Sequence, residues 1–229
     1  MAYVIAVLNQ KGGAGKTTLA TNLSTLYARA GLRALLADAD PQGTARNWRD
    51  VGPENGSDDG PFPAVVGADS ARLGEALSEI GRAFDVIVID GPPGVSSDGP
   101  GKITASALKA ADLVLIPVRP SAADVWASRA LAELVTARRD AIGRPDAAFV
   151  VSQADPRTSL AREVASALDA FEVPTLDART EARIAYAEAL GAGLSVLTIG
   201  DRKAAAEVEG IASEIGRRFP APVPEQGGA

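Results

Sequence analysis

The 229-residue chain contains no cysteine and no histidine. Without cysteine there is no disulfide, no thiolate metal site and no cysteine nucleophile. Without histidine, imidazole-based triads and imidazole metal ligands are excluded as well. Long apolar runs are also missing. Hydrophobic residues make up 46% of the sequence, yet the longest near-continuous stretches, such as DLVLIPV at 112–118, are the size of a strand and not of a membrane span. The start, MAYVIAVLNQ, has neither the basic opening nor the small-residue cleavage site of a secretory signal, so a cytoplasmic location is expected. Nor is there an excess of positive charge. The formal net charge of −6 argues against an overall basic coat for nucleic acid and leaves room only for a local basic patch. Chemistry in this chain must rest on Lys, Arg, Asp, Glu, hydroxyls, backbone amides and a hard metal ion.

What the sequence does contain is an alternation of short apolar runs and helix-length segments. YVIAVL (3–8), RALLAD (33–38), DVIVID (85–90), DLVLIPV (112–118) and AAFVVSQ (147–153) read as buried strands, with FPAVV (62–66) and VPTLD (173–177) as weaker ones. The runs are continuous, as in parallel strands covered on both faces. Helices are expected at about 16–30, 69–82, 121–141, 158–171, 181–191 and 203–219. Gly31 closes the first of them, and Ser70 and Ser121 stand near helix starts. In the last, Val208, Ile211, Ile215 and Phe219 recur at helical spacing and should face the core. The pattern predicts an α/β fold: one doubly wound, mostly parallel sheet with helices on both faces, in a single domain over 1–219. Three stretches read as irregular: GPENGSDDGP (52–61), GPPGVSSDGPG (91–101) and the tail PAPVPEQGGA (220–229), which is expected to be disordered.

The most informative segment is NQKGGAGKTT, residues 9–18, between the first strand and the first helix. Glycines there let backbone N–H groups approach phosphate oxygens, and the helix N-terminus adds partial positive charge. In this arrangement Lys16 contacts the β- and γ-phosphates of a nucleotide and the Thr17 hydroxyl binds Mg²⁺. The general phosphate-loop pattern has a glycine where this chain has Gln10. What stands instead is Lys11-Gly12-Gly13-Ala14-Gly15-Lys16-Thr17-Thr18, with a second lysine at the loop entrance. Ligands of open α/β sheets sit outside the carboxyl ends of the strands. Two carboxylate-bearing segments end strands here: LLADADPQG with Asp38 and Asp40, and DVIVIDGPPG with Asp90.

The segment Lys11 to Thr18 resembles the variant Walker A motif of the ParA/MinD family of ATPases, whose hallmark is a lysine at the position of Lys11. IPVRPSAADVWA (116–127), with Pro117, Pro120 and Ser121 in matching places, resembles the family segment after its fifth strand. VPTLDARTEARIAYAEALGAGLSVL is similar to the family's late strand, basic turn and EA…G.SV stretch. The resemblance covers most of the chain and is closest to the small plasmid-type members. It implies a P-loop NTPase fold, ATP and Mg²⁺ as cofactors, and hydrolysis to ADP and phosphate. Asp90 looks like a Walker B aspartate that holds Mg²⁺ through a coordinated water. DPQG resembles the switch I segment, which implies that Asp40 positions or activates the attacking water and joins Thr17 and Asp90 at the metal, with Asp38 behind it. Adenine contacts implied by the family fall on Gln153, where the family often has Asn, and on Pro174, Thr175 and Asp177. Lys11 is implied to reach the partner's nucleotide in an ATP-dependent homodimer, so that each phosphate chain is touched by lysines from both subunits.

Three functions follow from that resemblance. In the first, the ATP dimer binds DNA nonspecifically on the nucleoid, and a centromere-binding or cargo adaptor protein stimulates hydrolysis and releases it, segregating plasmid or chromosomal DNA. Candidate DNA contacts are Arg179, Arg183, Arg202, Lys203, Arg217 and Arg218. In the second, the same switch positions a protein cargo such as a carboxysome or a chemoreceptor cluster. A membrane-bound variant would need a basic amphipathic C-terminal helix, whereas this sequence ends in PAPVPEQGGA, so no membrane partner is expected. The third is a metabolic enzyme that uses ATP on a small molecule, as the dethiobiotin synthetase relatives do. Those relatives lack the lysine corresponding to Lys11. A nitrogenase-reductase-like function is excluded, because its iron–sulfur cluster needs cysteines.

Overall fold

A computed structural model describes residues 1–53, 60–94 and 99–220. Its six strands are β1 (Tyr3–Asn9), β2 (Ala34–Asp38), β3 (Ala64–Gly67), β4 (Val86–Pro93), β5 (Leu113–Val118) and β6 (Asp146–Val151). They form one sheet in the order β3-β2-β4-β1-β5-β6, and every pairing is parallel. Side chains alternate between the two faces along each strand, and both faces are apolar. In β1, Val4, Ala6 and Leu8 join one core while Ile5 and Val7 join the other. In β4, Ile87 and Ile89 face the first core and Val86 and Val88 the second.

Helices cover both faces. α3 (Leu73–Ile80), α4 (Pro100–Ala110), α5 (Ala122–Ile142) and α6 (Leu160–Leu168) pack on the first core. α1 (Lys16–Arg29), α2 (Thr44–Val51), α7 (Ile184–Gly191) and α8 (Arg202–Arg218) pack on the second. α5 starts at Ser121, whose hydroxyl accepts the Asp124 N–H, and stops at Gly143 with φ +76°. In α8 three of the four expected stripe residues are buried: Val208 and Ile211 are fully enclosed and Ile215 nearly so, each burial contributing about 1.5–3 kcal/mol. Phe219 stands just past the helix end and is half-buried against the same core.

Three expectations need correction. The segment 91–101 is not irregular throughout, because β4 continues to Pro93 and α4 begins at Pro100, where the missing N–H of proline costs a helix nothing. VPTLD forms no strand. It makes one bridge, Thr175 beside Phe149, and Pro174 lacks the N–H a ladder would use. α2 and α4 were not expected at all. α2 is mostly polar and buries Ala45 and Trp48; the Trp48 indole N–H donates to the Leu194 carbonyl at 2.8 Å and its ring lies 6.0 Å from Phe62. Residues 54–59, 95–98 and 221–229 lie outside the described residues. The centre of the loop expected at 52–61 and nearly all of the expected disordered tail fall there.

Candidate nucleotide site

The parallel sheet brings five strand ends to one edge. β1 opens into the glycine loop, β2 into Asp38 and Asp40, β4 carries Asp90, β5 leads to Arg119, and β6 to Ser152 and Gln153. Asn9 sets the loop entrance: its amide donates to the Pro117 carbonyl and its side-chain oxygen accepts the Lys11 N–H at 3.0 Å. The far wall comes from β6. Ser152 donates to the Ala14 carbonyl at 2.8 Å, and the Gln153 amide to the Gly13 carbonyl at 3.0 Å. Carbonyls are thus turned outward and held. From Gly12 to Thr18 the backbone N–H groups make no hydrogen bond of normal geometry to a protein acceptor among the described residues. Gly13 and Gly15 stand at φ +72° and +90°, which only glycine adopts without strain, and Gly15 leads into α1 with no side-chain cap. An uncapped helix start behind a row of free N–H groups is a cradle for an anion.

The two lysines have separate places. Lys16 is buried, and its ammonium arches back to the Lys11 carbonyl at 3.1 Å. Burial pulls its pKa down, while the charges of Asp90 and Asp40 oppose that. Lys11 lies on the outer rim, one-third exposed, with its ammonium 2.8 Å from Asp124 on α5. Asp124 is almost fully buried and also accepts from Arg119 Nε at 3.1 Å and from the Ser121 hydroxyl. Burial would raise its pKa, but these donors, Lys11 first, hold it below the usual carboxylate range.

Three acidic groups face the loop. Asp38 is fully buried, accepts the N–H groups of Asp40 (3.2 Å) and Arg46 (2.9 Å), and pairs with the Arg46 guanidinium at 3.5 Å. Burial nonetheless raises its pKa. Asp40 is half-buried and accepts the Gln42 N–H at 2.9 Å in a turn of its own. Asp90 is fully buried, and neither carboxylate oxygen has a hydrogen bond of normal geometry. Its pKa is pushed up to about 7, chiefly by burial, with the nearby Thr17 hydroxyl pulling it down. An orphaned carboxylate beside a threonine hydroxyl and an anion cradle fits a Mg²⁺-nucleotide. No group of three His, Cys, Asp or Glu side chains able to hold a metal exists among the described residues. Thr17 and Asp90 would therefore be the protein's share of the coordination, with phosphate and water supplying the rest.

Beside the loop lies a cavity of about 480 Å³, walled by Leu19, Val150, Ile184, Tyr186, Leu190 and Val208, with Gly15, Thr18 and Gln153 at its phosphate end. Gln153, expected at the base, lines this cavity at its phosphate end. Pro174, Thr175 and Asp177, also expected there, do not line it. The cavity wall is built by 180–187 instead, while 174–177 run along Phe149 and under α8, where Glu214 accepts the Asp177 N–H. The basic residues are also unequal. Arg183 is held by Glu207 (2.6 Å) and Glu181 (2.5 Å), and Arg218 by Glu214 (2.9 Å). Arg179, Arg202, Lys203 and Arg217 are exposed and have no acidic partner within salt-bridge distance among the described residues. Asn9, Asp124 and Ser152 escaped the sequence reading because each acts across a long stretch of chain, and only the PSAAD segment after β5 marked one of them.

Comparison with known proteins follows the same lines. The profile of the CobQ/CobB/MinD/ParA nucleotide binding domain matches residues 5–219. Over 216 residues the chain is 34% identical to a maintenance of carboxysome distribution protein A of Halothiobacillus neapolitanus, covering 93% of this chain and 96% of that one. Over 197 residues it is 34% identical to the chromosome-partitioning ATPase Soj of Thermus thermophilus, covering 72% and 75%. The fold is similar to that of the septum site-determining protein MinD complexed with Mg-ADP from Pyrococcus horikoshii, at a TM-score of 0.71 and 20% identity, over 94% of this chain and 96% of that one.

Proposed function

The chain belongs to the CobQ/CobB/MinD/ParA nucleotide-binding family, and from that premise we propose that it is a positioning ATPase whose ATP-bound dimer times an association with a surface in the cytoplasm. The observation that carries this reading is the division of labour between two lysines on one loop. Lys16 is buried within the loop, and Lys11 is displaced to its outer rim on Asp124. A loop that only holds nucleotide needs the first alone.

In this reading the N–H groups of Gly12–Thr18 and the Lys16 ammonium bind and orient the β- and γ-phosphates. Thr17 and Asp90 would hold Mg²⁺, which when bound would supply charge neutralisation on those phosphates. Asp40 holds the attacking water in line and accepts its proton as the γ-phosphate departs to leave ADP. Lys11 exchanges Asp124 for the nucleotide of a second subunit, so the dimer gains a cation that the monomer lacks. ATP thereby favours the dimer, and a stimulating partner resets it through hydrolysis.

Two cargoes are compatible with this switch. Similarity to the partition ATPase Soj supports DNA segregation by a dimer that binds DNA nonspecifically. Similarity across nearly the whole chain to a carboxysome distribution protein supports a protein assembly as cargo. An enzyme acting on a small molecule would have no use for Lys11.

The switch is tested by Lys11→Ala. The variant should bind ADP as the wild type does and remain a monomer with ATP in size-exclusion chromatography and small-angle scattering. A normal ATP dimer of the variant would refute the reading.

A further inference from the structure

Arg119 has no part in the mechanism above, yet its surroundings are unusual for a surface arginine. β5 ends at Val118, next to β1 in the sheet, so Arg119 emerges beside the strand that opens into the phosphate loop. Its guanidinium lies against that loop: a Cβ placed on Gly13 would stand 3.9 Å from Arg119 Nη1. Nε donates to Asp124 Oδ1 at 3.1 Å, and that carboxylate is 2% exposed. Asp124 is fixed in turn by its place in the first turn of α5 and by Ser121. One edge of the guanidinium is therefore anchored. Its terminal Nη1 and Nη2 have no protein acceptor among the described residues.

Charge balance indicates what those donors face. Asp124 is already paired with Lys11 at 2.8 Å, so a structural role for the carboxylate needs only one of its two cations. The second cation is thereby left over for a ligand at the mouth of a loop whose N–H groups are free. Holding a guanidinium there by a buried carboxylate removes rotamer entropy before a ligand arrives, and its planar fork matches a phosphate edge. We propose that Arg119 is a phosphate-contacting cation supplied in cis, which engages the terminal phosphate of a nucleoside triphosphate held by its own loop, with Asp124 as the residue that positions it. This rests on the reading of the loop as an ATP site and assigns to Arg119 the discrimination of triphosphate from diphosphate.

The test is calorimetric titration of the full chain with Mg-AMPPNP and with Mg-ADP. Arg119→Gln should weaken AMPPNP about tenfold or more and change ADP by no more than about twofold, as expected for loss of one charge-assisted contact. Arg119→Lys should recover part of the loss, because it restores the charge without the fork. Repeating the pair of titrations in a Lys11→Ala background removes the contribution of dimerisation, and the same fold-change should persist there. Equal effects on AMPPNP and ADP, no effect on either, or an effect that vanishes in the Lys11→Ala background would each overturn the assignment. A wild type that binds neither nucleotide would overturn the nucleotide reading itself and this inference with it.

Discussion

Asp90 is the residue at which stability and function pull in opposite directions. Its carboxylate is enclosed, lacks hydrogen bonds of normal geometry, and sits near Asp38 and Asp40, whose charges also push its pKa up. A buried polar group left unsatisfied costs about 1–3 kcal/mol. The folded protein carries that cost when the site holds no cation. Asp90→Asn leaves polar atoms in place but removes the charge that burial and the neighbouring carboxylates disfavour, so it should stabilise the nucleotide-free protein by about 1 kcal/mol or more at pH 8, measured by urea unfolding. The same variant should lose the gain in nucleotide affinity that Mg²⁺ confers. A variant that is less stable than the wild type, or that keeps its Mg²⁺ response, would remove Asp90 from the metal site.

Among the elements, α8 shows how a helix far along the chain shapes the site. Glu214 on its buried face accepts the N–H groups of Asp177 (3.1 Å) and Ala178 (2.9 Å), and pairs with Arg218. These contacts pin the turn that leads to the cavity wall at 180–187. Burial alone would raise the Glu214 pKa, but the three donors hold it below the usual glutamate range. A depressed carboxylate contributes stability that is present above its unfolded pKa, about 4.3, and is lost as pH falls through the folded value. Glu214→Gln should thus cost about 1–2 kcal/mol at pH 7 and flatten the acid limb of the stability curve below about pH 4. Unfolding at pH 7 and pH 3.5 checks both parts, and an acid limb identical to that of the wild type would exclude Glu214 as its source. What the sequence disclosed at this scale follows from how each element is held. Strands β1, β2, β4, β5 and β6 announce themselves as apolar runs because both of their faces are buried. The boundaries of α1, α5 and α8 were within a residue or two for the same reason, a repeated apolar face. α2 and α4 were missed because their apolar faces are short, Ala45 and Trp48 in the one and Ile103, Ala107 and Leu108 in the other. The phosphate loop was legible because its donors are contiguous. Its supports, Ser152 and Asp124, were not, because the parallel topology delivers them from distant strand ends. The cavity wall lies at 180–187 and not at 174–177 for a related reason: the chain first runs beside Phe149 and only then turns toward the loop.

At the scale of the molecule, one edge of the sheet carries the nucleotide chemistry, while unpaired positive charge is spread along the C-terminal third. A chain with net charge −6 binds DNA only where cations stand free of acidic partners. Arg183 and Arg218 are engaged by glutamates, which leaves Arg179, Arg202, Lys203 and Arg217. Arg202 and Arg217 sit near opposite ends of α8, about 22 Å apart at 1.5 Å per residue, too far to form one compact patch. A monomer therefore offers DNA only scattered contacts, and the proposed ATP dimer would double their number. If all four residues of each subunit reach phosphate, the logarithm of the DNA affinity should fall with the logarithm of salt concentration at a slope of about −7. This is measurable by fluorescence anisotropy with a labelled duplex in ATP, ADP and no nucleotide, from 50 to about 300 mM salt. Tight binding with that slope is expected in ATP alone, and replacing Arg179 and Arg217 by Ala should make the slope shallower by about 4. Equal binding in ADP would separate the basic surface from the switch. A slope shallower than about −2 in ATP would mean that these cations do not track a phosphate backbone.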